Sequence, residues 1–312
     1  MQTKILIFGT GFIAKNLIKY YQNYKEVQFI VLYNKHKIQT SSAVIQYSMD
    51  DDIKKIIMYE MPEYIIALHG NSFVSDNINI EEAINDNVFK ISNFLETIYV
   101  NKLYSKIKKI IIVGSASEYG KFYNEPIKEY FNLHPTSVYG LSKIFLFNTA
   151  KYFIDKDLPI VYVRQFNTIG IGQRENFVVP SFIRNIVLIE KNKKEPILNV
   201  GDLNQERDFI DIRDTCKAYD ILLQKGAIGE VYNVASGKYI SIEFLLEKML
   251  EVSHLSKDSI KIILNTTLFS KEVSLSKRLH SDIDKLEKLG FKAEYTLEDT
   301  IKNILEYWRK YV

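Results

Sequence analysis

Cysteine is nearly absent: the chain of 312 residues has one, Cys216. A single thiol excludes an intrachain disulfide and suits a reducing compartment. Charge of one sign is also scarce. The net charge is +3 with the basic residues scattered, which gives no footing for nucleic acid or an anionic membrane surface. No apolar run approaches the roughly 20 residues that span a bilayer. A strand-like run, Lys4-Ile5-Leu6-Ile7-Phe8, stands where a signal peptide would. The expectation is a soluble cytoplasmic protein. The histidines at 36, 134, 254 and 280 lack ligand spacing, so no metal is expected. A serine hydrolase is excluded by the absence of a G-x-S-x-G elbow. There are no repeats, low-complexity tracts or clear linker.

What is present reads as an ordinary globular chain, 46% hydrophobic and 25% charged, long enough for about two domains. Short apolar runs alternate with amphipathic segments. KILIFG (4–9), FIVLY (29–33), YIIAL (64–68), KIIIVG (109–114) and IVYVRQF (160–166) read as buried strands. Between them lie helical patterns such as Glu81 to Tyr104, with Ile84, Val88, Ile91, Leu95 and Ile98 on one stripe. This order implies an α/β fold: a doubly wound, Rossmann-type parallel sheet, with a smaller α/β C-terminal lobe for substrate. After Phe166 the alternation breaks into a glycine-rich loop (170–172) and a helix from Pro180 to Lys191, and returns over 208–234. The expected domains are therefore interleaved. Residues 1–166 plus 208–237 form the nucleotide-binding domain, and 167–207 plus 238–312 the substrate domain.

Gly9-Thr10-Gly11-Phe12-Ile13-Ala14 follows the first strand and opens a helix, the G-x-G-x-x-G/A pattern in its required context. Gly9 permits the tight turn, Gly11 lets backbone approach a pyrophosphate, and Ala14 keeps helix and strand close. Phosphate would sit on the helix N-terminus, at Gly11, Phe12 and Ile13. NAD enzymes usually carry an acid at the tip of the second strand to bond the ribose 2′-OH. Here the tip reads Asn34-Lys35-His36-Lys37. Asn34 with Lys35 and Lys37 suits a 2′-phosphate, so NADP is favoured and NAD stays possible. The same lysines also suit a solvated loop.

Tyr139-Gly140-Leu141-Ser142-Lys143 places a phenol and an ammonium four residues apart, on one face if the segment is helical. A nearby cation lowers a phenol's pKa from about 10 and would let Tyr139 exchange a proton with a sugar oxygen. An incidental pair at a solvated helix start is the other reading. Ser115 lies just past the strand KIIIVG, where such sheets carry their sites.

The glycine loop with Ser115, Tyr139 and Lys143 resembles the extended branch of the short-chain dehydrogenase/reductase superfamily, the NAD-dependent epimerase/dehydratase family, over nearly the whole chain. Asn87, PTSV (135–138), RQFN (164–167) with Gly170 and Gly172, and GDLNQERDFIDIRD (201–214) carry the resemblance further. It implies that Tyr139 is the general acid/base and that Lys143 is its electrostatic partner and a contact of the nicotinamide ribose. It implies that Ser115 bonds the reacting sugar oxygen, and that Ser72 and Asn167 contact the sugar nucleotide. Asn176 and Phe177 would cover the nucleotide. Arg207 would grip a phosphate with its guanidinium fork, a structural ion pair with Asp208 or Asp211 being the alternative. His69 would lie near the cofactor pyrophosphate as a packing variation.

The resemblance also has departures. The acid that dehydratases need two positions after the strand-tip serine is Ser117 here, with Glu118 one further on. The basic segment that binds nucleotide phosphate is not recognisable over 271–281, where Lys277 and Arg278 are available. RQFNTIGIGQ (164–173), NFVVPSFIRN (176–185) and GEVYNVASGKYISI (229–242) are most similar to GDP-4-keto-6-deoxy-mannose reductases. That implies reduction, by NADPH, of the C4 ketone of a nucleotide-linked, GDP-linked by expectation, 4-keto-6-deoxy sugar, in deoxysugar biosynthesis for surface polysaccharide. A nucleotide-sugar 4-epimerase retaining NAD is the alternative, and a 4,6-dehydratase a more distant one. Family members pair through two helices per subunit. The segments 81–104 and 141–153 carry more apolar groups than one buried stripe needs, Phe89, Phe94, Phe145 and Phe147 among them, so a homodimer through a four-helix interface is expected.

Overall fold

A computed structural model describes residues 2–40, 44–71, 79–120, 123, 125–253, 255–266 and 278–312. The chain begins with β1 (Thr3–Phe8), α1 (Phe12–Tyr20), β2 (Val27–Tyr33), β3 (Val44–Ser48), α2 (Ile53–Glu60) and β4 (Tyr64–Ala67). Next come α3 (Ile80–Ile84), a π-helical turn (Asn85–Phe89), α4 (Lys90–Val100), β5 (Lys109–Val113), α5 (Val138–Ile154) and β6 (Ile160–Gln165). Then follow β7 (Asn167–Ile169), α6 (Val178–Glu190), β8 (Ile197–Val200), β9 (Glu206–Asp211), α7 (Ile212–Lys225) and β10 (Val231–Val234).

Seven strands form one parallel sheet in the order β3-β2-β1-β4-β5-β6-β10. Its apolar runs are continuous because both faces are covered. Successive residues of a strand face opposite ways. Ile5 and Ile7 of β1 therefore pack with Leu17 and Ile18 of α1 and with Tyr219 and Leu222 of α7. Leu6 and Phe8 pack with Ile57 of α2, Ile91 and Leu95 of α4 and Leu146 of α5. Burying each such side chain contributes about 1.5–3 kcal/mol. The strand order reverses direction between β1 and β4, which opens a crevice at the carboxyl ends of these strands.

A smaller lobe holds β7 beside β9, β11 (Tyr239–Ser241) and β13 (Arg278–Leu279), and a separate pair of β8 with β12 (Lys261–Leu264). Its core joins α6, α8 (Ile242–Ser253) and the C-terminal helix Leu297–Tyr311 through Ile183, Ile186, Leu245, Met249, Ile301 and Ile304. The chain between β13 and that helix crosses back, so Leu279, Ile283, Leu286 and Phe291 pack with the α1 and α7 layer.

The structure departs from the sequence reading at particular points. Strand β3 was not foreseen: VIQYS has no alternation, and each of its residues is only half-buried. The helix expected over 81–104 begins at Ile80, capped by Asn79 accepting from the Glu82 amide at 2.8 Å, and widens into the π turn before ending at Val100. Phe94, read as surplus to the buried stripe, packs on Phe8 with ring centroids 4.7 Å apart, whereas Phe89 and Phe145 stay exposed. Among the described residues no helix is long and apolar enough to cross a membrane.

Candidate active site

The turn after β1 is shaped by its glycines. Gly9 has φ +129° and donates its amide to the Leu32 carbonyl at 3.0 Å; a Cβ there would lie 3.1 Å from the His69 nitrogen. Gly11 is the N-cap of α1, with φ −73° and nothing within 4 Å of where a Cβ would stand. No side chain caps the first amides of α1, at Phe12 and Ile13. An uncapped helix start beside an open cradle is an anion site in form. Asn16 donates to the Ile171 carbonyl at 3.3 Å, which ties the loop after β7 to the start of α1.

Asn34 stands at the tip of β2 and accepts from Lys90 Nζ at 2.7 Å. Lys35, His36 and Lys37 are exposed around it, and Lys37 Nζ lies 5.7 Å from the Tyr33 ring centroid. The tip is thus more cationic than the sequence indicated. Lys90 comes from α4, across the β4 loop, and no local pattern announces it. His69 sits edge-on to Phe8, and burial pushes its pKa down to about 4. The imidazole there is neutral at pH 7 and packed on Phe8.

Ser137 caps α5, accepting from the Gly140 amide at 2.9 Å, so the helix begins at Val138 and Tyr139 and Lys143 share a face. Lys143 Nζ is 5.9 Å from the Tyr139 ring centroid. Ser115 lies just past β5 and hydrogen bonds the Tyr139 side chain. The three expected residues are therefore brought together. Their electrostatics differ from expectation. Burial pushes Tyr139 up to about 12, the Ser115 hydrogen bond opposing it and the Glu118 charge adding to it. Lys143 does not lower the phenol, because Nζ points away to the Val113 carbonyl at 3.3 Å. Burial lowers Lys143 to about 8, against the pull of Glu118.

Asn87, which the motif match marked without a role, fixes this arrangement. Its carbonyl accepts from the Asn71 amide at 2.8 Å, and its amide donates to Ser142 Oγ at 3.0 Å. Ser142 in turn donates to the Tyr139 carbonyl at 2.7 Å. The loop after β4 is thereby pinned to the first turn of α5. The π turn lends Asn87 to the site, a frequent use of such turns.

In the smaller lobe Asn167 is opposite Phe209 in register, so Asn167 and Arg207, two residues from Phe209, fall on one face. Asn167 donates to the Asp208 carbonyl at 3.1 Å. Arg207 is buried and donates to the Glu206 carbonyl at 2.8 Å and to Gln205 Oε1 at 2.9 Å. The two carboxylates considered as its ion-pair partners are engaged elsewhere. Asp208 accepts from Ser236, Gly237 and Ser281, and Asp211 pairs with Arg213 at 2.7 Å. Phe177 is the half-buried N-cap of α6, and Asn176 is exposed before it. Ser72 and Lys277 lie outside the described residues, and no group of His, Cys, Asp or Glu among the described residues forms a metal site.

Residues 7–304 match the family model described as GDP-mannose 4,6 dehydratase. Among relatives, GDP-6-deoxy-D-mannose reductase of Pseudomonas aeruginosa is 27% identical over 258 residues, covering 81% of this chain and 82% of its own. GDP-6-deoxy-D-talose 4-dehydrogenase of Aggregatibacter actinomycetemcomitans is 27% identical over 258 residues, covering 80% of each chain. The structure of RMD from Pseudomonas aeruginosa complexed with NADPH superposes with a TM-score of 0.81 at 25% identity, covering 98% of this chain and 99% of that one.

The two glycines of the turn separate on stability. Gly9→Ala forces a side chain into positive φ against backbone, which costs more than about 1 kcal/mol, or some 2–4 °C in melting temperature. Gly11→Ala meets open space at ordinary φ and should melt within about a degree of the parent. Thermal denaturation of both variants checks this; equal losses would contradict it.

Proposed function

The chain belongs to the GDP-mannose 4,6-dehydratase family, and from that premise we propose that it reduces the C4 ketone of a GDP-linked 4-keto-6-deoxy sugar with NADPH. One observation carries the choice within the family. The slot for the acid that dehydration requires holds Ser117, and the neighbouring carboxylate, Glu118, is turned into the core and locked to Arg164 at 2.8 Å. Among the described residues the site therefore offers Ser115, Tyr139 and Lys143 without a free carboxylate in the slot from which a dehydratase removes a proton beside the ketone. The cationic tip of β2 favours NADP over NAD, and with it net reduction over the 4-epimerase reading, in which NAD is retained.

The open cradle at Gly11 and the uncapped start of α1 fit a dinucleotide pyrophosphate, with Asn34, Lys35, Lys37 and Lys90 at the 2′-phosphate. When bound, reduced nicotinamide supplies the hydride that adds to C4. The carbonyl carbon gains that hydride and the oxygen takes the Tyr139 proton, giving an alcohol. A phenol held at about 12 is protonated at neutral pH, which suits an acid in the reductive direction. Ser115 orients the ketone, and Lys143, its Nζ turned to the Val113 carbonyl, would meet the nicotinamide ribose beneath it. Asn167 and Arg207, on one face of the smaller lobe, would hold the sugar nucleotide under Phe177 and Asn176. The expected division, 1–166 plus 208–237 for cofactor and 167–207 plus 238–312 for substrate, in the cytoplasm, is part of the same proposal, although β9 straddles its boundary within the smaller sheet and Leu279, Ile283, Leu286 and Phe291 pack with the α1 and α7 layer.

Dimerisation belongs to the same proposal. Phe89 and Phe145, on adjoining helices of one face, are 53% and 43% exposed, and a two-fold pairing of these helices would cover them.

Tyr139→Phe should leave NADPH binding intact and cut turnover by about 10² or more; near-parental turnover defeats the assignment. Lys35→Ala with Lys37→Ala should weaken NADPH more than NADH, since each well-formed charged contact contributes about 1.5–3 kcal/mol. Equal weakening, in titrations of nicotinamide fluorescence, would mean that these lysines only face solvent. Light scattering at micromolar concentration should give a dimer mass, reduced to the monomer by Phe89→Glu; a parental monomer excludes the pairing.

A further inference from the structure

Glu118 is fully buried, and so is its partner Arg164. Its Oε1 accepts from the Ser115 amide at 2.9 Å and from the Tyr162 hydroxyl at 2.8 Å. Its Oε2 accepts from Arg164 Nε at 2.8 Å. The same Tyr162 hydroxyl lies 3.2 Å from the Lys143 carbonyl. One carboxylate oxygen thus gathers the Ser115 amide, past β5, and the single proton of a phenol that also faces the Lys143 carbonyl on α5, the two acceptors sharing that proton. The neighbourhood is built around this contact. A Cβ on Gly114 would stand 2.2 Å from both Glu118 Oε1 and the Tyr162 hydroxyl, so no larger residue fits there. Arg164 is held in turn by the Tyr119 hydroxyl at 3.0 Å and the Glu129 carbonyl at 2.8 Å.

A buried ion pair costs several kcal/mol in desolvation, and an apolar pair of similar volume would often be as stable. Capping a three-residue 3-10 turn does not by itself require a charge. We infer that Glu118 is a positioning residue for Ser115, Tyr139 and Lys143: its carboxylate holds the serine and lysine main chains in register and sets a fixed negative charge behind the pair. The inference rests on reading those three residues as the reacting set.

The groups facing Glu118 are Arg164 and Tyr162 from β6, Tyr119 from the adjoining turn, and Tyr139 and Lys143 from α5, with His69 and Glu129 beyond them. Every atom that touches the carboxylate is a donor, which fits its ionised form, although burial raises its pKa. Its charge raises Tyr139 and opposes the burial that lowers Lys143. Removing the charge therefore lowers both. Lys143, held at about 8, titrates first as pH rises, so in Glu118→Gln activity should be lost at lower pH than in the parent. A loosened structure alone would reduce the rate without moving that limb.

The experiment compares Glu118→Gln and Tyr162→Phe with the parent. Glu118→Gln should lower kcat by about tenfold or more, leave KM and NADPH affinity within a factor of about three, and shift the high-pH limb downward. Tyr162→Phe keeps the ion pair, so it should fold, lose several-fold in kcat and keep the limb in place. A folded Glu118→Gln with parental kcat and pH profile overturns the inference. Should Glu118→Gln not fold, Tyr162→Phe decides alone, parental kcat overturning it. If the parent reduces no keto sugar, the substrate reading fails by itself. The pH dependence of NADPH binding, which needs no sugar, then tests Glu118: a curve unmoved in Glu118→Gln overturns its role.

Discussion

A sheet covered on both faces has no room for polar chemistry along its length. The backbone is used in the ladder, and the apolar side chains of β1, β4 and β5 face one layer or the other. Polar groups open to a ligand gather where the strands end, whereas those within β6, Tyr162 and Arg164, are buried and paired with Glu118. That constraint places Gly9 after β1, Asn34 after β2, His69 after β4 and Ser115 after β5 along one edge, and the reversal of strand order between β1 and β4 opens that edge into a crevice. Helix α5 then needs only to begin at the right height for Tyr139 and Lys143 to meet Ser115.

Holding that height is the work of polar contacts below the edge. Asn87 and Ser142 join the β4 loop to the first turn of α5. Lys143 is drawn under the tyrosine by the Val113 carbonyl at the end of β5. Glu118, Tyr162 and Arg164 fill the space beneath, each polar atom met by a partner, as buried charge demands. The result is a phenol that burial keeps protonated beside a lysine that burial leaves only weakly basic.

Much of this was legible in the sequence because it is written locally. The apolar runs announce the strands, the glycine spacing announces the turn, and the four-residue interval of Tyr139 and Lys143 announces a shared helix face. The illegible parts depend on distant segments. Strand β3 pairs at the sheet edge with only half-buried residues, so its sequence carries no alternation. Lys90 reaches Asn34 from a helix 56 residues away. The π turn at Asn85–Phe89 leaves the apolar stripe intact while changing where Asn87 points. Glu118, one position past the dehydratase slot, could not be placed from sequence, and only its partnership with Arg164, 46 residues on, shows it facing the core. The direction of Lys143 Nζ, toward a carbonyl and not the phenol, is likewise a tertiary fact that reversed the expected shift of Tyr139.

The central claim is net reduction at C4, and hydride stoichiometry tests it most directly. Purified protein, stripped of bound nucleotide, is given a GDP-linked 4-keto-6-deoxy sugar with NADPH, and the nicotinamide absorbance is followed alongside the sugar products. The account predicts one NADPH oxidised for each alcohol formed, with NADH the poorer donor. Conversion of a sugar nucleotide with no net oxidation of NADPH, as an epimerase or dehydratase would give, would contradict it.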